Sequence, residues 1–164
     1  MSWFRRWWPA FFWAIVISIF STAAFTAERT GNFFIPLFRL LLPHASMETL
    51  NFLHFLVRKS AHFVEYFILS LLILRGFRAG RRGLEPSWVL GTILLVAAYA
   101  GLDEFHQSFV PGRTAAAADV LLDTTGGLAA QLVVLLLGAL HLLVMRRREK
   151  SSEKAGVARA VGPE

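Results

Sequence analysis

The sequence predicts an all-α polytopic membrane protein with four transmembrane helices and an interfacial segment between the first two. Hydrophobic residues occupy 55% of its 164 positions, which exceeds the share in an ordinary water-soluble domain. Four apolar stretches approach the roughly 20 residues that a helix needs to cross a bilayer, two of them only with more polar flanking residues. Tryptophan favours the headgroup level, and it stands near the start of these stretches at Trp3, Trp7, Trp8 and Trp88.

The first predicted helix covers about residues 9–27, which contain no charged side chain. A cleaved signal peptide is the alternative, because Arg5 and Arg6 precede the stretch and residues 22–24 are small. The uncharged stretch is longer than the apolar region of a usual signal peptide. We therefore favour a helix that is retained.

An aromatic and aliphatic segment, residues 32–43, follows the first helix and contains Pro36 and Arg39. It is too short to span a bilayer, so we predict that it lies in the outer interface as a re-entrant or amphipathic stretch. A loop packed over the helices is the alternative.

The second helix is predicted over about residues 47–75. Ser46 and Thr49 are N-cap candidates, and no glycine or proline interrupts the stretch that follows. The third helix is predicted over residues 87–107, which begin with a long uncharged stretch, and Pro111 soon after it indicates a turn.

The fourth helix is predicted over residues 119–145, most of which are apolar. Residues 1–145 are thus assigned to one membrane domain. Residues 146–164 are charged and poor in large apolar side chains, which predicts a disordered basic tail in the cytoplasm.

The positions of the 17 Lys and Arg residues, which give a net charge of +6, predict the topology. If the helices alternate in direction, most basic residues fall on one side: before the first helix, between the second and third, and in the tail. The positive-inside rule makes that side cytoplasmic, which predicts a multi-pass protein of the cytoplasmic (inner) membrane with both termini in the cytoplasm. The same distribution argues against nucleic acid as a partner. Cysteine is absent, which excludes disulfide and thiolate chemistry.

Polar side chains of three predicted helices fall at one depth, in and just above the outer leaflet. On the second helix they recur at offsets of three and four and so share one face, at Arg58, Lys59, His62, Glu65 and Tyr66. With a rise of about 1.5 Å per residue, Asp103 and Asp123 reach this outer level on the third and fourth helices. An ionised side chain facing lipid costs roughly 2.5–3.5 kcal/mol near the bilayer centre, so we expect these groups to face one another.

Three motifs in the second half of the chain stand in a specific order and spacing. They are KSAHFVEY with Lys59, His62 and Tyr66, DEFHQSFVPGR with Asp103, Glu104, Gln107, Phe109, Pro111, Gly112 and Arg113, and DVLLDTTG with Asp119 and Gly126. Residues 59–127 thereby resemble the VanZ-like family of small bacterial membrane proteins, named for a protein associated with teicoplanin resistance. The resemblance implies a setting in the cell envelope but no particular reaction. The chain departs from the family pattern at Ala116, where a small hydroxyl residue is usual, and at Asp123, where asparagine is usual.

The polar cluster predicts a site for a membrane lipid or a lipid-linked envelope intermediate, and the first hypothesis is an enzyme. His62, backed by Glu65 or Asp103, is the predicted general base, and Glu104 the predicted acid. Basic side chains would hold a phosphate during acyl or phosphoryl transfer, with Arg58, Lys59 and Arg113 as the candidates. The predicted catalytic residues are His62, Glu65, Asp103 and Glu104, and the predicted substrate-binding residues are Lys59, Tyr66, Gln107, Arg113, Asp119 and Asp123.

Other interpretations of the cluster stay open. A non-catalytic module would use the same charges to hold a lipid headgroup or a lipopeptide. An ion-coupled transporter is less favoured because the polar residues sit at one depth, although a homo-oligomer would allow a path between chains. A divalent cation on Asp103, Glu104 and Asp123 is a candidate cofactor, since hard cations prefer carboxylate oxygens. Structural ion pairing, with Asp119 as only an N-cap, is the interpretation without a function.

Overall fold

The computed structural model describes residues 2–81, 83–113 and 116–160, with side chains through residue 148. These residues form five α-helices and a short 3-10 turn, and no β-strand occurs among them, so the predicted all-α class is confirmed. The helices are α1 (Trp3–Phe20), α2 (Ala27–Leu41), α3 (Met47–Arg78), α4 (Pro86–Gln107) and α5 (Ala117–Ala160).

The structure breaks the first predicted helix, residues 9–27, into two parts. Helix α1 ends at Phe20, and the 3-10 turn Ala23–Phe25 leads into α2, with a bend of 64° between the two directions. The Thr22 hydroxyl donates to a carbonyl of the last turn of α1 at 2.7 Å, and the Thr26 side chain caps the start of α2. Hydroxyl groups that form hydrogen bonds with the backbone in this way compete with the hydrogen bonds of the helix itself, which accounts for the break.

Three helices in the described part of the chain are long and apolar enough to cross a membrane, namely α3, α4 and the Ala117–Arg148 portion of α5. The bent pair of α1 and α2 satisfies the same criteria only when its two helices are taken together. The predicted count of four transmembrane segments corresponds to counting this pair as one span.

The core of residues 2–131 forms where α3 packs against α1 and α4. Its centre consists of side chains with little or no exposed surface, including Ile17, Tyr66, Leu69, Val96 and Ala100. Burial of this kind orders the middle of α3, which carries most of the predicted site residues.

Two glycines of α5 allow it to approach its neighbours closely. A Cβ atom at Gly126 would lie 2.4 Å from the carbonyl oxygen of Phe63 on α3, and one at Gly127 would lie 2.7 Å from Val96 on α4. The Ser70 hydroxyl donates to the Gly127 carbonyl at 3.0 Å and accepts from the Gln131 amide at 2.7 Å. Small residues and side-chain hydrogen bonds are the usual means of joining helices in membranes.

The chain divides at Gln131 into two compact units. The second unit is helical from residue 132 to residue 160, and most of its described side chains are exposed. Helix α5 thus continues over residues 146–160, where the sequence predicted a disordered tail. The Arg, Glu, Lys and Ala residues of this stretch are good helix formers, which explains the difference. Residues 161–164 lie outside the described residues.

Candidate functional site

A cavity of about 210 Å³ lies beside the break between α1 and α2, and we call it the arginine cavity. Its polar wall consists of Arg58, His62 and Glu65 on α3 and of Arg113 in the loop between α4 and α5. The rest of its lining is mainly apolar and comes from Phe20, Phe25, Thr30, Phe34, Val57 and Ala61. The cavity therefore combines basic side chains with aromatic ones.

The spacing of polar residues on α3 explains its contribution to the arginine cavity. Arg58, His62 and Glu65 follow one another at offsets of four and three, so they lie on one face of an uninterrupted helix. Ser46 starts this helix by accepting a hydrogen bond from the Thr49 backbone at 3.1 Å, as its N-cap position predicted.

Arg113 ties the loop after α4 to the break between α1 and α2. Its guanidinium donates to the backbone carbonyls of Phe20 and Phe25, the latter at 3.1 Å, and to the Gln107 side-chain carbonyl at 2.9 Å. Burial lowers the pKa of this guanidinium, while the nearby carboxylates of Asp103 and Glu65 act in the opposite direction. Arginine nevertheless stays protonated in proteins, so Arg113 carries a positive charge into the cavity.

Arg58 approaches the same break from α3. Its guanidinium donates to the Phe25 carbonyl at 2.8 Å and to the Thr30 hydroxyl at 3.2 Å, both from Nη1. A guanidinium has five N–H groups, so each arginine retains donors beyond those used for the backbone. Two cationic donors thus converge on one carbonyl at the edge of the cavity.

His62 faces a carboxylate on α5. Its Nδ1 lies 3.6 Å from Oδ1 of Asp123, which is only 1% exposed. Neither Asp123 oxygen accepts a hydrogen bond from any residue that the structure describes. His62 Nδ1 also lacks a hydrogen-bond partner among the described residues, so the two groups are within ion-pair distance but are not hydrogen-bonded. The carboxylate within ion-pair distance of Nδ1 is Asp123, where the sequence had suggested Glu65 or Asp103.

Lys59 and Asp119 form an ion pair between α3 and α5. Asp119 belongs to the first turn of α5 and does not precede it, so the alternative of a simple N-cap is wrong. The ammonium of Lys59 also lies 5.5 Å from the centre of the Phe55 ring. Neither charged residue lines the arginine cavity.

Asp103 and Gln107 form a buried pair on α4. The Gln107 amide donates to Asp103 at 2.9 Å and to the Ser21 hydroxyl at 3.3 Å, while its carbonyl accepts from Arg113. Gln107 therefore connects α4 to the break and orients Arg113. Arg113, which Gln107 contacts, lines the arginine cavity together with His62 and Glu65, so it connects the end of α4 to the polar face of α3.

Two other predicted site residues lie away from the cavity lining. Glu104 is buried, and one of its oxygens accepts from the Ala116 backbone N–H at 2.5 Å, which holds the loop before α5. The Tyr66 ring is fully buried, 6.1 Å from the ring of Tyr99. Their contacts give no support to a catalytic role for Glu104 or a binding role for Tyr66, and both roles stay predictions.

One known protein family matches most of the chain. The family model described as VanZ/LLP1 matches residues 5–139, which include every residue of the arginine cavity. The chain belongs to the VanZ/LLP1 family. No curated protein and no solved structure gives a significant match.

The VanZ/LLP1 match extends well beyond the motifs that suggested the family. Those motifs begin at Lys59, whereas six of the ten residues that line the cavity precede it, including Phe20, Phe25, Thr30 and Phe34. Sequence reasoning missed this part of the site because its aromatic residues are indistinguishable from lipid-facing ones. The hydroxyl residues Ser21, Thr22, Thr26 and Thr30 within an apolar region were the available signal.

The described residues of this VanZ/LLP1 protein give no support for a metal site. Among the residues that the structure describes, no three His, Asp or Glu side chains are grouped as metal ligands. Asp103 pairs with Gln107, and Glu104 with the Ala116 backbone. The candidate divalent cation on Asp103, Glu104 and Asp123 therefore lacks the grouped donors it requires.

Proposed function

We propose that this VanZ/LLP1 protein binds an amphiphile with an anionic headgroup, an envelope lipid or a lipid-linked intermediate, and modifies it. The observation that carries the proposal is the arginine cavity, which Arg58 and Arg113 line together with aromatic side chains. Guanidinium groups match phosphate oxygens in geometry and charge, and aromatic side chains suit an apolar chain.

The charge of the cavity favours an anion. Its lining contains two arginines against one carboxylate, Glu65. Both arginines are fixed by backbone carbonyls of the α1–α2 break, so they need little ordering when a ligand arrives. A phosphate between them would be held without a metal ion.

His62 is the group that would move a proton. Asp123, 3.6 Å from Nδ1, is close enough to attract a proton to that nitrogen and so leave Nε2 as the base, although the two groups are not hydrogen-bonded in this structure. In acyl or phosphoryl transfer, Nε2 accepts the proton of an attacking hydroxyl or water and returns it to the leaving oxygen. Asp123 is then a positioning residue.

The membrane setting of this activity is part of the same proposal. The basic residues before α1, between α3 and α4, and after residue 145 favour a cytoplasmic side, with the protein in the inner membrane. The arginine cavity then opens toward the outer leaflet. An altered outer-leaflet lipid would account for a link with teicoplanin resistance. The proposal holds equally for a monomer and for a homo-oligomer.

The test is a comparison of envelope lipids and lipid-linked intermediates by mass spectrometry. Cells without the protein, cells with wild type, and cells with His62→Ala are compared at matched expression. We expect at least one lipid species to appear or disappear with wild type only. His62→Ala removes the proposed general base, and general acid–base catalysis contributes about 100-fold or more to the reaction rate.

His44→Ala serves as the matched control, since His44 is exposed in the turn before α3. We expect its lipid profile to equal that of wild type. If all four profiles are the same while lipid co-purifies with wild type, catalysis is excluded and binding alone remains.

A further inference from the structure

A second recess lies against the arginine cavity, between α2 and α3, and we call it the polar groove. It has a volume of about 440 Å³, and its polar and aromatic lining includes Glu28, Asn32, Asn51, His54, Phe55 and Arg58. Arg58 lines both spaces, so a headgroup bound at Arg58 has the polar groove directly beside it.

The hydrogen bonds of Thr30 define what His54 presents to the groove. We assign the single hydroxyl proton of Thr30 to the Thr26 carbonyl, 2.8 Å away, rather than to the more distant Nε2 of His54. Its oxygen accepts from Arg58 at 3.2 Å and lies 3.0 Å from Nε2 of His54, so Nε2 is the ring nitrogen that carries a proton. In neutral His54 the other nitrogen, Nδ1, is then a hydrogen-bond acceptor.

The remaining side chains of the polar groove suit hydroxyl groups. Asn32 and Asn51 each offer an N–H donor and a carbonyl acceptor, and the Glu28 carboxylate accepts. The ring of Phe55 is half exposed and provides an apolar face. Alternating donors and acceptors beside an aromatic face match a sugar or polyol, whose hydroxyls both donate and accept while its C–H groups are apolar.

The charges of the groove nearly cancel, since its lining contains one carboxylate, Glu28, and one guanidinium, Arg58, which also faces the arginine cavity. With the phosphate bound at Arg58, a group that carries no further charge fits the groove. An ammonium group paired with Glu28 is the competing occupant. We infer that the ligand is a phosphodiester lipid whose phosphate binds in the arginine cavity and whose hydroxyl-rich group, a sugar or a polyol, binds in the polar groove.

This inference rests on the proposed function and names its substrate class. It is tested with purified full-length protein and three lipids that share acyl chains and one phosphodiester charge: phosphatidylethanol, phosphatidylglycerol and phosphatidylinositol. Native mass spectrometry measures their relative affinities. We expect phosphatidylinositol to bind about tenfold more tightly than phosphatidylethanol, because its hydroxyl groups would form about two hydrogen bonds with the polar groove. The affinity of phosphatidylglycerol should lie between those of the other two lipids.

Two glutamates supply a matched pair of variants. Glu28 and Glu48 are both exposed and stand in the first turns of α2 and α3, but only Glu28 lines the groove. Glu28→Ala and Asn51→Ala are each expected to remove most of the preference for phosphatidylinositol over phosphatidylethanol. Glu48→Ala is expected to keep the preference.

The outcomes separate this inference from the proposed function. Equal affinity for all three lipids, or a preference for phosphatidylethanolamine as a fourth probe, would overturn the inference and leave an anion site at Arg58 and Arg113. Failure of all of these lipids to bind would also overturn the inference. If, in addition, the lipid profiles of cells with wild type and with His62→Ala were the same, the proposed function itself would be overturned.

Discussion

Replacing Arg113 with lysine is expected to weaken the binding of an anionic lipid by roughly tenfold or more, although the positive charge is kept. The guanidinium donates to three acceptors on three parts of the chain, the carbonyls of Phe20 and Phe25 and the side chain of Gln107. A lysine ammonium is a compact point charge and does not reproduce this planar fork. Hydrogen bonds to charged groups contribute about 1.5–3 kcal/mol each, so losing one guanidinium–phosphate hydrogen bond would account for the tenfold effect.

Binding of phosphatidylglycerol to the purified protein measures the effect of Arg113→Lys, and Arg29→Lys is the control. Arg29 is exposed in the first turn of α2 and does not line the arginine cavity. A thermal unfolding curve for each variant shows whether the α1–α2 break is still held. Full binding by Arg113→Lys would mean that charge alone suffices and that the fixed geometry of the cavity is unimportant.

The starts of α3 and α4 were predictable because residues typical of helix N-termini mark them. Ser46 caps α3, and Pro86 begins α4 at a position where a missing backbone N–H costs nothing. The end of α1 was not predictable in the same way. Residues 9–27 are uncharged on both sides of the break, and hydropathy does not register the hydroxyl groups that bond the backbone there.

The break depends on contacts that are distant in sequence. The carbonyl of Phe25 is satisfied by Arg58 and Arg113, and Phe20 also accepts from Arg113. In the interior of a membrane, unpaired backbone carbonyls are costly, so a bend of this kind requires such donors. Their identity becomes evident only when α3 and the α4–α5 loop are placed beside the bend.

The level at which each polar residue lies along its helix was predictable from the sequence. The rotation of each helix about its axis, which decides which side chains face each other, was not. The rise per residue placed His62 and Asp123 near the same level, and the structure brings them within 3.6 Å. Which of several carboxylates meets His62 depends on helix rotation, and one residue rotates the side chain by about 100°. Gly126 and Gly127 determine that rotation by allowing α5 to contact α3 and α4 closely.

Gly126→Ala is therefore expected to destabilise the protein by about 1–3 kcal/mol and to abolish most of its lipid-dependent activity. The added Cβ would lie 2.4 Å from the carbonyl oxygen of Phe63, a backbone atom that cannot rotate away, so α5 must move from α3. Asp123 lies about one helical turn before Gly126, and His62 directly precedes Phe63, so this movement also separates Asp123 from His62. Gly101→Ala in α4 is the matched control, because no atom lies within 4 Å of its added Cβ.

Unfolding of both glycine variants in mixed detergent micelles provides the stability measurement, and the lipid profile of cells expressing them provides the functional one. Gly101→Ala should stay within about 0.5 kcal/mol of wild type or be slightly more stable, since alanine favours a helix over glycine. Equal behaviour of the two variants would contradict the close approach of α5 to α3. A stable Gly126→Ala protein with an unchanged lipid profile would also remove the basis for assigning Asp123 to His62, because that assignment requires the two helices to touch at this point.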